Sequence, residues 1–430
     1  MKAFSDKEWA SSNVSVAEAR EAQAKWALQP IPARLGFVRR LRHHIAAHAA
    51  ELAAAAARVK GRPVAEKLAS EVLPLADACR WLERRGARVL APRYCGKEGR
   101  PFWMRGLTFE VQRRPFGVVL VIGPANYPLF LPAVQTLHAL IAGNAVLLKP
   151  APGALDVASA FSEFTRVAGL SQGLLSVLPA NVESVSAAIA QGVDKVIFTG
   201  SSENGRDVLR QLASQSTPAV MELSGDDAVL IFGDADLDLV VRALGFGTRW
   251  NGGDTCIAPR RLFAVGSKAD ELRARLRQTS LSTLPLERVS DESAAVAGAM
   301  RSNFALGVSI FSRDVARART FAARIKSGFV LINDLIVPTA DPRMPFGGSK
   351  ASGFGVTRGD EGLREMTFPH VVAIRQGKSR PHFEELVTDP GWLFSSYILA
   401  AHGEGWRRIG ALRDLIGAAI NEIKSKKAHK

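Results

Sequence analysis

The stretch Asn251-Gly252-Gly253-Asp254-Thr255-Cys256-Ile257-Ala258-Pro259 places one thiol directly behind a pair of glycines. Adjacent glycines open backbone angles closed to other residues, so a ligand or a second segment can come close just before the sulfur. A thiol attacks as its thiolate, and the site must therefore supply an environment or a base that removes its proton. Glu222, in Met221-Glu222-Leu223-Ser224-Gly225, ends an apolar run. A carboxylate there is partly desolvated, which raises its pKa and makes it a usable general base. Gly123-Pro124-Ala125-Asn126-Tyr127-Pro128 is a rigid turn carrying one amide, and Lys149-Pro150 fixes a cation suited to a ribose hydroxyl or a phosphate. Each also has a plain structural counterpart: a buried apolar cysteine, a glutamate at a strand edge, an ordinary turn.

Elements able to position these groups follow from the hydropathy pattern. Residues 117–122 form a continuous apolar run, as expected of a strand buried on both faces of a parallel sheet. Further strands are expected at 144–148, 174–178, 194–198 and 219–223, with helices at 129–142 and 155–167 among those between them. This alternation predicts an α/β fold with a doubly wound open parallel sheet, whose ligands bind beyond the carboxyl ends of the strands. Thr199-Gly200-Ser201-Ser202-Glu203-Asn204-Gly205-Arg206 follows one strand and opens a helix, where free N–H groups favour a pyrophosphate. Arg206-Asp207 replaces the Lys and Ser/Thr of a P-loop, and no G-x-G-x-x-G follows any strand. The alanine-rich N-terminal part predicts three helices, over 14–28, 33–59 and 64–88, as cladding.

The 430 residues allow two or three domains, and 47% hydrophobic residues argue against disorder. Three cysteines, Cys79, Cys95 and Cys256, make a disulfide framework a poor reading and point to a reducing, cytoplasmic setting. Residues 1–14 lack the pattern of a secretory leader, and no apolar run reaches membrane-spanning length. The net charge of +15 comes from arginines scattered over many segments rather than massed beside aromatics, which fits solvated faces and no specific nucleic acid. No metal site is expected.

Taken in order and spacing, 122–128, Lys149-Pro150, 198–206, Glu222-Leu223 and Cys256-Ile257-Ala258-Pro259 resemble the aldehyde dehydrogenase superfamily, and 345–355 resembles its late signature. The likeness covers roughly 15–375, and the Cys-Ile-Ala-Pro tetrapeptide looks most like the branch with fatty-aldehyde dehydrogenases. The resemblance implies oxidation of an aldehyde to a carboxylic acid with NAD or NADP, through a thiohemiacetal and thioester on Cys256. Asn126 and the Cys256 N–H would hold the oxyanion, and Glu222 would activate water. Cofactor contacts would come from Ile122, Pro124, Lys149, Gly200, Ser201, Gly205 and Leu223. It also implies that Asn333 is a candidate active-site amide and that 105–116 and 367–376 form an oligomerisation arm, hence a homodimer. The domains expected are a cofactor domain of 1–104 with 117–223, a shortened catalytic domain of 224–366, and a tail of 377–430.

Several positions depart from the family pattern. Ala125 stands where an aromatic is frequent, Asp254 where a glutamine is, Ser224-Gly225-Asp226 where Gly-Gly-Lys follows, and Pro152 in place of a ribose-binding glutamate. Between Cys256 and Gly307 the chain is several tens of residues short, and the Glu-x-Phe-Gly-Pro motif that clasps the nicotinamide ribose falls in the gap. Two alternatives therefore stand beside the dehydrogenase: a catalytically impaired relative serving as a binding or structural subunit, and a cysteine thioester- or ester-processing enzyme. In the tail, Trp406, Ile409, Leu412, Ile416, Ile420 and Ile423 form a helical stripe flanked by Arg407, Arg408 and Arg413, with Lys424, Lys426, Lys427 and Lys430 at the end. A basic amphipathic helix can lie on an anionic membrane surface, but a packing role against the shortened domain or the dimer is the preferred expectation.

Overall fold

A computed structural model describes residues 15–277, 279–378, 380–383 and 391–428, the last helix by backbone alone beyond residue 418. Two compact units are resolved, one of 109–373 with the residues before 97, the other of 97–108 with those after 373.

The first unit is built on two parallel sheets. In the larger, the spatial order is Gly353–Phe354, Ala219–Glu222, Lys195–Thr199, Val118–Ile122, Ala145–Lys149, Leu175–Val177, all parallel except the short first strand. Every residue of Val118–Ile122 and Ala145–Lys149 is buried, which accounts for their unbroken apolar sequence. Each such Val, Leu or Ile contributes about 1.5–3 kcal/mol by leaving water. The order reverses between Val118–Ile122 and its neighbours, so a crevice opens at the carboxyl ends of these strands.

The smaller sheet runs Leu286–Val289, Arg261–Val265, Ala228–Ile231, Gly307–Phe311, Phe329–Ile332, again wholly parallel. Arg261–Val265 passes through the helix Lys268–Leu276 to Leu286–Val289, so the shortened stretch still closes a complete strand–helix–strand crossover. A third sheet joins Arg93–Cys95, Leu107–Pro115 and Thr367–Arg375.

The N-terminal helices differ from expectation in two places. The run expected over 33–59 is two helices, Ile31–Ala47 and Ala49–Arg58. His48 leaves helical geometry at φ −124°, its N–H shared by the carbonyls of His44 and Ile45, which closes the first helix. The run expected over 64–88 holds a π-helical turn, Leu68–Val72, between Val64–Lys67 and Leu73–Leu90. The extra residue in such a turn re-aims side chains, and π turns are frequent beside functional sites.

In the second unit, the helices Gly391–His402 and Gly405–Ala428 are joined by Arg408 Nε donating to the Ala400 carbonyl at 3.0 Å. Trp406, Ile409, Leu412 and Ile416 of the expected stripe are exposed; the side chains of Ile420, Ile423, Lys424, Lys426 and Lys427, and all of Lys430, lie outside the described residues. No helix among the described residues is long and apolar enough to cross a membrane.

Candidate active site

Cys256 follows a turn that only particular residues can make. Asn251, Gly252 and Gly253 all have positive φ, at 52°, 62° and 76°. A Cβ on Gly252 would stand 2.0 Å from the Arg62 guanidinium, so glycine is required there for space as well as angle. Arg62 Nη2 donates to Asp254 Oδ2 at 3.0 Å and Lys60 lies 3.7 Å from the same carboxylate, which gives Asp254 a structural task in the place of the usual glutamine. On the other side, a Cβ on Gly225 would meet the Cys256 carbonyl at 2.5 Å. Gly225 therefore admits the thiol-bearing loop against the end of the Glu222 strand.

Beneath this turn lies a buried polar network that sequence reasoning missed. Lys67 and Glu71, both 0% exposed, form an ion pair at 2.9 Å across the π turn. Lys67 Nζ also donates to Asn251 Oδ1 at 2.9 Å and to the Asn126 carbonyl at 3.4 Å. Glu71 Oε2 accepts the N–H groups of Leu129 and Phe130 at 2.7 and 3.0 Å, satisfying the start of the helix Phe130–Ala142. Asn251 Nδ2 closes the circuit on the Asn126 carbonyl at 2.8 Å. One buried pair thus fixes both loops; the only trace in the sequence is its four-residue spacing on an expected helix.

The three residues expected to carry chemistry are brought together. Asn126 Nδ2 donates to the Asp254 carbonyl at 2.8 Å, two residues before the thiol, while its Oδ1 accepts from Tyr127 N at 3.0 Å. The second N–H of that amide makes no hydrogen bond among the described residues. Glu222 is 2% exposed; Thr357 Oγ1 donates to its Oε2 at 3.2 Å, and its Oε1 is buried without a partner. Burial raises the Glu222 carboxyl above the usual range, against a lowering by the Arg358 guanidinium and the Thr357 hydroxyl. Burial likewise pushes the Cys256 thiol up, reinforced by Glu222 and Asp227 and opposed by Arg358. Cys256 is half-buried and unpaired.

Two openings meet at this thiol. A cleft of about 540 Å³ lies over the carboxyl ends of the large sheet and is lined by Ile122, Pro124, Asn126, Lys149, Gly200, Ser201 and Leu223, along with Glu222 and Cys256. A separate cavity of about 260 Å³ is walled by Phe130, Leu131, Phe246, Trp250, Ile336 and Phe346, and reaches the same Glu222 and Cys256. The sulfur is thus open on two sides rather than sealed in apolar packing.

The cleft suits a dinucleotide. Lys149 is 7% exposed with no hydrogen-bond partner for its ammonium among the described residues, and burial lowers its pKa, so an acceptor from a ligand would complete it. Ser201 caps the helix Ser202–Ala213 by accepting from Asn204 N, and Ser224 Oγ accepts from Ser202 N at 3.3 Å. The first turn therefore carries fewer free N–H groups than the sequence suggested. Gly205 lies behind the cleft wall, where a Cβ would strike Leu223 at 2.5 Å; it sets the helix close to the sheet. Pro152 lines the cleft and offers no acceptor. Asn333 lines neither opening: both ends of its amide bond the Ser312 backbone at 2.9 Å. Tyr127, Thr357 and Arg358 join the site unannounced by the sequence, Tyr127 through its hydroxyl 2.9 Å from Thr255 Oγ1.

Similarity to known proteins agrees with this geometry. The chain is 27% identical to a 4,4'-diapolycopene aldehyde oxidase from Methylomonas sp., covering 87% of this chain and 82% of that protein. That alignment runs over 445 positions, more than this chain possesses, so the relative carries several tens of residues with no counterpart here. A succinate-semialdehyde dehydrogenase (NADP+) from Deinococcus radiodurans is 27% identical over 89% of this chain and 94% of its own length. The fold matches a Mycobacterium tuberculosis aldehyde dehydrogenase complexed with NAD+ at a TM-score of 0.76, with 24% identity over 85% of this chain and 90% of that one. The pattern described as the aldehyde dehydrogenase family matches residues 3–286 and 282–372, two segments that meet in the short connection between Lys268–Leu276 and Leu286–Val289. On that match, spanning both parallel sheets and every residue of the two openings, the chain belongs to the aldehyde dehydrogenase family.

Proposed function

We propose that the protein oxidises an aldehyde with an apolar body to the carboxylic acid, using NAD or NADP and Cys256 as nucleophile. The observation that carries this reading is the junction of the two openings at Cys256 and Glu222, one polar and suited to a dinucleotide, the other walled by aromatic and aliphatic side chains. The dinucleotide would be held by Lys149, the Ile122–Pro124 turn and the Gly200–Ser201 helix start, and when bound it supplies the hydride acceptor.

Each residue has a task in this scheme. The Cys256 thiolate adds to the carbonyl carbon to give a thiohemiacetal, and the free N–H of Asn126, which lines the same cleft, is the donor for the oxyanion that develops. The thioester that remains after oxidation is released by water, from which Glu222 takes the proton. Glu222 is equipped for this by its orphaned Oε1 and by the burial that raises its pKa, which makes the carboxylate a better proton acceptor than an exposed one. Asp226, where the family pattern has a lysine, ion-pairs with Arg261 at 2.8 Å and accepts from Ser302 Oγ at 2.8 Å, so the altered turn after Glu222 is held by its own contacts. Residues 1–104 and 117–223 are assigned to cofactor binding, 224–366 to the aldehyde side, and 105–116 with 367–376 to an oligomerisation arm. Exposed Phe109, Phe368 and Val371 on the three-stranded sheet support a homodimer formed through it.

The test is reduced-nicotinamide formation across a panel of linear, terpenoid and dicarboxylic semialdehydes, with Cys256→Ala as control. Turnover with apolar aldehydes, lost in the variant, is expected. Cofactor-independent ester cleavage that needs Cys256, with no nicotinamide reduction, would replace this reading by the hydrolytic one.

A further inference from the structure

The cavity on the aldehyde side is walled mainly by apolar side chains, and Arg358 is the one cation among its lining residues. Arg358 is 5% exposed, and its backbone, at φ 63°, holds a conformation that an arginine rarely adopts. Its side chain is held by stacking over Phe346, with the guanidinium carbon 4.5 Å from the ring centroid, and more distantly over Phe130 at 5.6 Å. Nη1 donates to the Thr339 carbonyl. Nε is buried without a partner, and no carboxylate lies within ion-pairing distance of this guanidinium among the described residues. A buried, unpaired cation is costly, and a structure that maintains one has charge nearby that offsets it.

The groups that face it supply that charge. Glu222, from the strand Ala219–Glu222, comes first; Cys256 and Tyr127, from the two loops, follow. Glu222 is tied to Arg358 through the chain as well, because the hydroxyl of Thr357, the preceding residue, lies 3.2 Å from both Glu222 Oε2 and the Phe346 carbonyl and shares its one hydrogen between them. The other titratable neighbours add little charge. His138, on the helix Phe130–Ala142, is held neutral by burial, at about 4. Asp227, which faces Cys256, is raised well above the carboxylate range by burial. Glu71, which faces Tyr127, is paired with Lys67, and Asp360 with Arg85 at 3.1 Å.

We propose that Arg358 is the counter-charge of the reaction centre: a positioning residue that stabilises the Cys256 thiolate and the Glu222 carboxylate from the aldehyde side, without pairing with either. This rests on the assignment of Cys256 and Glu222 above. Both acids are pushed toward neutrality by burial, and each needs its ionised form to act. A cation at a distance supplies field without occupying the lone pairs that must attack carbon or take a proton. Stacking on Phe346 holds it there, since a guanidinium packs flat on an aromatic face.

The test follows the thiol directly. Full-length protein is alkylated with iodoacetamide from pH 6 to 10, and labelling of Cys256 is followed by peptide mass spectrometry in wild type, Arg358→Gln and Arg358→Lys. Removal of one nearby cation is expected to move the midpoint of Cys256 labelling upward by about one pH unit or more. Arg358→Lys should recover most of the shift, and the acid limb of kcat/KM should move in the same direction as the labelling. In wild type, iodoacetate should be favoured over iodoacetamide at Cys256 several-fold more than at free glutathione, a measurement that needs no variant to fold. The proposal is overturned if that preference is absent, or if a folded Arg358→Gln labels with the wild-type midpoint. Persistence of aldehyde oxidation in Cys256→Ala would instead sink the parent reading, whatever Arg358 does.

Discussion

The two openings that meet at Cys256 are built in contrasting ways. The cleft is assembled from consecutive strand ends of one sheet, Ile122, Lys149, Thr199 and Glu222, whose carboxyl termini lie side by side by virtue of parallel pairing. The cavity takes its walls from segments remote in sequence: Phe130 from a helix, Phe246 and Trp250 from the approach to the thiol, Ile336 and Phe346 from the late loops, and Arg358. A cleft made by topology is held by backbone ladders. A cavity made by side chains depends on packing and is free to differ between relatives that share the fold. Under the proposed function, the cofactor side follows from the sheet and the choice of aldehyde from the loops.

This contrast can be broken at its shared point. Cys256→Ala should abolish aldehyde oxidation yet leave nucleotide binding, followed by quenching of protein fluorescence, close to wild type. Loss of both would show that the openings are one site. Glu222→Gln should slow turnover by about 10²–10⁴-fold. In wild type, kcat/KM should rise with pH from neutrality upward, because burial lifts both Cys256 and Glu222 and each ionises as pH rises. A flat profile would deny that these groups limit the reaction.

Substitutions on one side alone sharpen it. Lys149→Met should raise the cofactor KM by about tenfold, the worth of a charge-assisted hydrogen bond, with the aldehyde KM unchanged. Trp250→Ala should do the reverse. Lys67→Met addresses the network beneath both openings: removing one member of a fully buried pair is expected to lower stability by about 3 kcal/mol, read by urea unfolding. The smallest effect concerns Cys79, which is fully buried in the core and lines neither opening; it should stay unlabelled by iodoacetamide at pH 9 while Cys256, which lines both, reacts.

Much of the cleft is legible in the sequence. Apolar runs such as 117–122 are unambiguous because both faces of a parallel sheet are buried, and the chemical residues fall at their ends. The shortened stretch was legible too, and the five-stranded sheet closes across it because the join falls between a helix and a strand, where connection length is least constrained. An amide after a strand serves a turn as readily as a site, and the Asn333 amide bonds the Ser312 backbone. The sequence does not show that Gly205, expected at the cofactor, also lets the helix pack close on the sheet, because that depends on Leu223 from another strand.

By itself the sequence determined the order of elements and the parallel sheet, which depend on local hydropathy, and it singled out Asn126, Glu222 and Cys256 by residue type, three side chains that line one cleft. Only the tertiary structure decided that Lys67 and Glu71 hold the two site loops, that Cys256 opens on two sides, and that Arg358 stands unpaired beside two buried acids. The physical reason is separation along the chain: desolvation and charge act through space, and Lys67 is 184 positions from the asparagine it grips, Asn251.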